Sequence, residues 1–209
     1  MPNLNDLMTE TIARMAAMSN ARDTAVNTTR TIVRLSANAI RALHRGEDAT
    51  LLLAEARELL TEVATVTADY PSVYWAGYVQ DAMKEYAEAA ITASLLAGSE
   101  IPAAGEIGVE DAAWLNGLAE AGSELRRDTL DALRHDHTDE AERLLALMEQ
   151  IYDLLVTVDF PDSITGGLRR TTDQFRAVLE RTRGDVTMSM RQARLEKALR
   201  AAETGLGRG

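Results

Sequence analysis

The sequence predicts an all-α protein, and three observations carry that reading. Alanine, leucine, arginine and glutamate dominate the 209 residues, while aromatics are only 4%. Only four prolines occur, and few stretches alternate polar and β-branched residues as a half-buried strand would. Apolar residues instead recur at the helical period. A chain of this length holds one domain or two small ones and can bury a sizeable core. Mostly short connections favour an antiparallel bundle of about six or seven helices. We read it as a single helical domain over 1–209, with 1–20 and 204–209 loosely ordered.

The first helix spans about Asn5 to Arg45, with a candidate break at Ser19-Asn20. Val26, Val33 and Ile40 form a heptad row, flanked by Ile32, Ala39 and Leu43. At 100° per residue, Arg30, Arg34, Arg41 and Arg45 share a narrow arc on another face. Gly46 ends this helix, and Glu47-Asp48 open a second that runs to about Ala68. Pro71, suited to a first helical turn, starts a third reaching about Ala97. GSEIPAAGEIG (98–108) is the clearest loop. A fourth helix spans about Val109–Arg134. The His135-Asp136-His137 segment is a turn, and a fifth helix follows from Thr138 to about Val158 with an acidic first turn. Pro161 precedes a last long helix reaching about Glu203, disturbed at Gly166-Gly167 and at Gly184.

Charge is segregated along the chain. The total is −11, yet residues 20–46 carry +4, residues 47–165 carry −19 and residues 166–209 carry +5. Two basic ends flanking an acidic middle fit either a self-neutralising bundle or a protein that grips phosphate through its ends. No cysteine is present, which excludes disulfides, thiolate metal sites and cysteine nucleophiles. No apolar run approaches a membrane span, and the first residues lack a signal-peptide pattern. A cytoplasmic protein that does not enter membranes is the expectation. The three histidines have no metal-ligating helical spacing, and no phosphate loop or Ser-His-Asp set occurs.

Four glutamates remain as candidate chemistry. Glu85 and Glu88 in KEYAEAA are spaced i, i+3. Glu120 and Glu124 in LAEAGSEL are spaced i, i+4. Either spacing puts two carboxylates on one helix face. On neighbouring helices the four would supply the oxygen ligands of a hard cation such as Mg²⁺. The wheel places Val79, Met83, Tyr86 and Ala90 on one apolar stripe and Leu115, Leu118, Gly122 and Leu125 on another. Both glutamate pairs fall on the opposite sides, Glu120 and Glu124 beside Arg127. An ordinary solvated polar face has the same appearance. Two details favour chemistry: small residues (Ala82, Ala87, Ala89, Ala119, Ala121, Gly122) surround the glutamates, and none has a basic residue at i+4.

From about Ala21 to Leu199 the chain resembles the translin/Trax family, in particular its Trax-like archaeal members. ARDTAVNTTRTIVRLSANAIRALHR is similar to the Trax N-terminal helix, with Arg22-Asp23 and Arg30-Thr31-Ile32. KEYAEAAI is similar to a Trax stretch of the form QEYVEAV, matching Glu85, Tyr86, Glu88 and Ala89. NGLAEAGSELRR is similar to GVADLTGELMR, matching Gly117, Ala119, Glu124, Leu125 and Arg127, with Glu120 where Trax has aspartate. The basic helix after Leu168-Arg169-Arg170 also fits. The chain departs from the family in having Asp131 where Trax has asparagine. It also has YWAGYVQ in place of translin's basic, histidine-rich stretch.

The resemblance implies a translin-like bundle that assembles into a closed homo-oligomeric shell, often an octamer, and binds RNA or single-stranded DNA. It further implies a Mg²⁺-dependent endoribonuclease site, with Mn²⁺ as the alternative metal. Glu85, Glu88, Glu120 and Glu124 would be its catalytic and metal-binding residues. Arg30, Arg34, Arg41, Arg45 and Arg127 are then the candidates for nucleic-acid contact. A non-catalytic nucleic-acid-binding shell and a helical metal-sensing or scaffold protein are the competing readings.

Overall fold

The computed structural model of the chain describes residues 3–206, with side chains through residue 203. The expectation of loose order at 204–209 concerns side chains outside that range. Among the described residues every regular element is a helix. The residues form two compact units. One comprises the chain up to Leu118 with Ile164–Gly166; the other comprises Ala119–Ser163 and the chain from Gly167 onward.

In the first unit, α1 runs unbroken from Leu4 to Leu43. Asn3 accepts a hydrogen bond from the Asp6 amide and its own amide donates to the Asp6 carboxylate, a reciprocal cap. No break occurs at Ser19-Asn20, whose low helix propensity is a weak prior only. The centre of the buried face is Ala21, Ala25, Thr29, Ile32, Ser36 and Ala39. The expected row of Val26, Val33 and Ile40 flanks it, half-buried. Small side chains at the centre permit close helix approach, and Ala39 and Ala42 pack with Ala49 and Ala89 while Ile40 and Leu43 close the edge. Helix α1 packs on α2 (Thr50–Thr67) and α4 (Gly77–Ala97), which also touch each other. The Asp48 carboxylate accepts from the Thr50 amide at 2.9 Å and starts α2.

The helix expected from Pro71 is interrupted. Pro71–Tyr74 forms a single turn, α3, and Ala76 adopts extended backbone before α4 begins. The Gln80 side-chain amide donates to the Tyr74 carbonyl at 3.1 Å, replacing the intrahelical partner that this carbonyl loses at the break. The Tyr74 hydroxyl donates to the Glu110 carboxylate at 2.5 Å. Burial and this hydrogen bond push the Tyr74 phenol up to about 12. The predicted loop contains one further turn, α5 (Ala104–Ile107). Its ends are tied by the Trp114 indole to the Pro102 carbonyl at 2.8 Å and by Arg57 to the Glu106 carbonyl at 2.6 Å.

Helix α6 (Asp111–Arg134) begins in the first unit and continues into the second. Asn116, buried on its first half, donates to the Thr165 carbonyl at 2.8 Å. That carbonyl closes α8 (Asp162–Thr165). The following Gly166 and Gly167, with φ of 61° and 83°, turn the chain into α9 (Leu168–Leu206). A side chain at either position would be strained. Gly184, expected to disturb the last helix, lies inside α9 without interrupting it.

In the second unit, α7 (Thr138–Leu155) packs on α9. Leu168, Thr172, Phe175, Leu179, Thr182 and Val186 are buried along α9, a 4-3-4-3-4 seam of the coiled-coil type. Phe175 meets the Tyr152 ring edge-on at 6.4 Å between centroids. Arg126 anchors α6 within this unit, reaching the Thr182 hydroxyl at 3.1 Å and Asp185 at 2.8 Å. Asp136, with φ of 59°, makes the turn read at His135–His137. No helix among the described residues is long and apolar enough to cross a membrane.

Candidate metal centre

Helix α4 positions the first glutamate pair, and it is buried more completely than its hydropathy pattern implies. The predicted stripe of Val79, Met83, Tyr86 and Ala90 is buried, but so is every residue from Tyr86 to Thr92. Glu88 therefore sits at 8% exposure, not on a solvated face. The alanines around it allow this: with a methyl group at 87, 89 and 90, helix backbones approach α4 from several sides. A carboxylate is rarely placed at such depth without polar or ionic partners. Glu85, one turn earlier, is half-buried and pairs with Lys84 at 3.2 Å. That neighbour supplies the positive charge missing at i+4.

Gly117 sets the separation between α4 and the start of α6. A Cβ built on it would lie 2.8 Å from the Ala87 Cβ, 2.9 Å from the Glu88 amide nitrogen and 3.0 Å from the Lys84 carbonyl oxygen. No residue but glycine fits there without moving backbone. Helical continuity then carries the next acidic residue, Glu120, one turn beyond Gly117. Glu85, Glu88 and Glu120 each offer a carboxylate oxygen within 4.8 Å of the other two. Such a set fits a hard cation. Oxygen ligands at about 2.0–2.1 Å from Mg²⁺ lie up to about 4.2 Å apart, and those at about 2.3–2.6 Å from Ca²⁺ up to about 5.2 Å apart.

Glu124 is half-buried one turn further along α6 and is not one of these three. It lines an open surface recess of about 560 Å³ with Ser123, Arg126, Arg127 and Arg134. Gly122, between the two α6 glutamates, serves packing: a Cβ there would come within 2.6 Å of the Phe175 ring.

The five candidate arginines are all exposed. Arg45 is engaged by Glu47 through a fork of 2.8 and 2.5 Å. This hydrogen bonding raises the Arg45 pKa and lowers that of Glu47. Arg41 donates to Asn38 at 2.6 Å. Arg30, Arg34 and Arg127 have no hydrogen-bond or ion-pair partner among the described residues. The Arg45–Glu47 fork spans the Gly46 turn, and no helical projection displays a contact across a turn.

No protein-family model matches this chain. The uncharacterized protein MJ0175 of Methanocaldococcus jannaschii is 26% identical over 193 residues, which span 92% of this chain and 86% of that one. Two solved structures of AfC3PO, one of them a complex with duplex RNA, align with a TM-score of 0.80 at 34% identity. They match 90% of this chain and 98% of theirs. Apo-NeC3PO aligns over the same shares with a TM-score of 0.76 at 20% identity, a likeness of fold.

Proposed function

Because the chain belongs to the translin/Trax family, we propose that it is a Mg²⁺-dependent endoribonuclease cutting single-stranded RNA. The observation that carries this reading is the convergence of Glu85, Glu88 and Glu120 within 4.8 Å. Glu85, Glu88 and Glu120 would hold the ion, with Glu124 beside them on α6. A bound Mg²⁺ lowers the pKa of its water and offsets the negative charge of a phosphate. The burial of Glu88 holds that carboxylate in one place, which favours a defined site over a diffuse ion cloud. That AfC3PO forms a complex with duplex RNA supports RNA as the ligand class. The site would lie on the inner face of a homo-oligomeric shell, octameric in the fullest form of the proposal.

Cleavage of a labelled single-stranded RNA in Mg²⁺, and its suppression by EDTA, tests the reaction. Attack by water leaves 5′-phosphate and 3′-hydroxyl ends. Ends bearing 2′,3′-cyclic phosphate would instead mean attack by the ribose hydroxyl and would sink the mechanism. RNA retention without cleavage in Mg²⁺ would leave a binding shell in its place.

Arg30 and Arg34, exposed and unpartnered, are the best-placed phosphate contacts on α1. Replacing both with glutamine should leave thermal stability unchanged, since neither makes a contact in the fold. Two lost phosphate contacts should flatten the slope of log K against log salt by about 1.4 for a single strand. A slope equal to that of the unaltered protein would remove these residues from the interface.

A further inference from the structure

Lysine is scarce in this chain. Of the 22 lysines and arginines only Lys84 and Lys197 are lysines. Lys197 stands among the arginines of α9, whereas Lys84 sits in the candidate metal centre. It directly precedes Glu85, and it lies one turn before Glu88 on the same face of α4. Its ammonium is 3.2 Å from the Glu85 carboxylate, and the two side chains are 23% and 30% exposed. The backbone is fixed at this point, because the Lys84 carbonyl oxygen is one of the atoms that a Cβ at Gly117 would meet, at 3.0 Å. A flexible side chain on a packed turn therefore carries a positive charge onto a carboxylate that belongs to the group of three.

The charge balance of the centre gives this lysine a use. Glu85, Glu88 and Glu120 around one divalent ion would still carry a net negative charge, which opposes the approach of a phosphodiester. One ammonium removes that excess. Lysine suits the task better than arginine. Its ammonium is a compact point charge on a flexible stem and changes partner readily, whereas a guanidinium grips a carboxylate through two parallel hydrogen bonds. We infer that Lys84 is a resident cation of the metal centre: it pairs with Glu85 before the metal ion binds and passes to a non-bridging phosphate oxygen when RNA binds. It is then a catalytic residue, placed where negative charge grows on the phosphate in the transition state. This inference rests on the reading of the three glutamates as Mg²⁺ ligands and adds a second positive charge that the chain itself supplies.

Calorimetric titration of Mg²⁺ into the full-length protein without RNA tests the first half of the inference. Lys84→Met keeps the length of the stem and removes the charge. It should bind Mg²⁺ about two- to fivefold more tightly, because the ion no longer displaces a partly exposed ion pair. Lys84→Arg, with its firmer grip on Glu85, should bind Mg²⁺ more weakly than the unaltered protein. A role in packing alone produces no such opposition, and circular dichroism checks that both variants fold. Cleavage of a labelled single-stranded RNA at saturating Mg²⁺ tests the second half. Lys84→Met should cut about 100-fold more slowly, the loss typical of a group that stabilises transition-state charge. Tighter metal together with slower cutting is the expected signature. Equal or weaker Mg²⁺ binding by Lys84→Met, both variants shifted in the same direction, or unchanged cleavage would each overturn the inference. If the unaltered protein binds Mg²⁺ but leaves RNA whole, the nuclease reading falls, and the order of the three affinities still decides the place of Lys84. Absence of Mg²⁺ binding by the unaltered protein would sink both.

Discussion

Glu120→Gln, alone or with Glu124→Gln, should reduce Mg²⁺-dependent RNA cleavage by at least about 100-fold, about 2.7 kcal/mol in the barrier, while assembly is kept. Gln keeps the shape of the side chain but removes its charge, and a cation held by three carboxylates within 4.8 Å loses one of them. The loss should exceed the 10–100-fold typical of residues that only support a ligand. Glu88→Gln should do the same, since Glu88 is the most buried of the three. A second readout needs no RNA. Metal at about 100 times its dissociation constant adds about 2.7 kcal/mol to the folded state. The unaltered protein should therefore melt higher in Mg²⁺ than in EDTA, and the Glu120→Gln protein should lose most of that difference. Equal cleavage by the variant would assign the activity elsewhere. A retained Mg²⁺ shift would mean that the ion sits at other ligands.

The separate Glu124→Gln variant divides the quartet. Glu124 lies outside the group of three and lines the recess that also holds Arg127. Its loss should lower cleavage while leaving the Mg²⁺ melting shift largely intact. This asymmetry between two glutamates four residues apart was not legible in a spacing. An i, i+4 pair on a wheel looks equivalent, and only the position of the neighbouring helix distinguishes its members.

Other parts of the fold were legible for identifiable reasons. Large apolar side chains at helical period marked Val79, Met83 and Tyr86 as core, and they are buried. Gly46 marked a helix end and Gly166-Gly167 a disturbance of the last helix, and all three have positive φ. What was misjudged concerns small residues. Alanine, serine and threonine carry little hydropathy, so the wheel placed the core face of α1 on Val26, Val33 and Ile40. The centre is Ala25, Ile32, Ser36 and Ala39, where small side chains let α2 and α4 come close. The same property hid the burial of Glu88. A helix whose flanks are alanine can be enclosed on nearly every side, and hydrophobicity alone does not say which side stays open. The break at Ala76 was also hidden, because the side chain that compensates it, Gln80, acts on the Tyr74 carbonyl across the break.

Gly117→Ala should destabilise the protein by about 2 kcal/mol and disable the site together. In an exposed helix interior the same change would add up to about 1 kcal/mol, because glycine is the poorer helix former. At position 117 the added methyl meets the Ala87 Cβ, the Glu88 amide and the Lys84 carbonyl at 2.8–3.0 Å. Two of these atoms are backbone of α4 and cannot rotate away, so the helices must part. Overpacking of this kind costs about 1–3 kcal/mol, with backbone contacts at the upper end. For a chain of this length a net 2 kcal/mol lowers Tm by about 4–8 °C. Glu120 follows Gly117 by one turn, so parting the helices draws its carboxylate from Glu85 and Glu88. Displacement of about 1 Å can cost about 100-fold in rate, and a fall of at least about tenfold is expected in the folded fraction. Gly184→Ala is the matched control: it lies mid-helix in α9, with nothing within 4 Å of an added Cβ. It should raise Tm slightly and leave cleavage and the Mg²⁺ melting shift unchanged. If Gly117→Ala behaves like Gly184→Ala, the approach of α4 and α6 is not what holds the three carboxylates together.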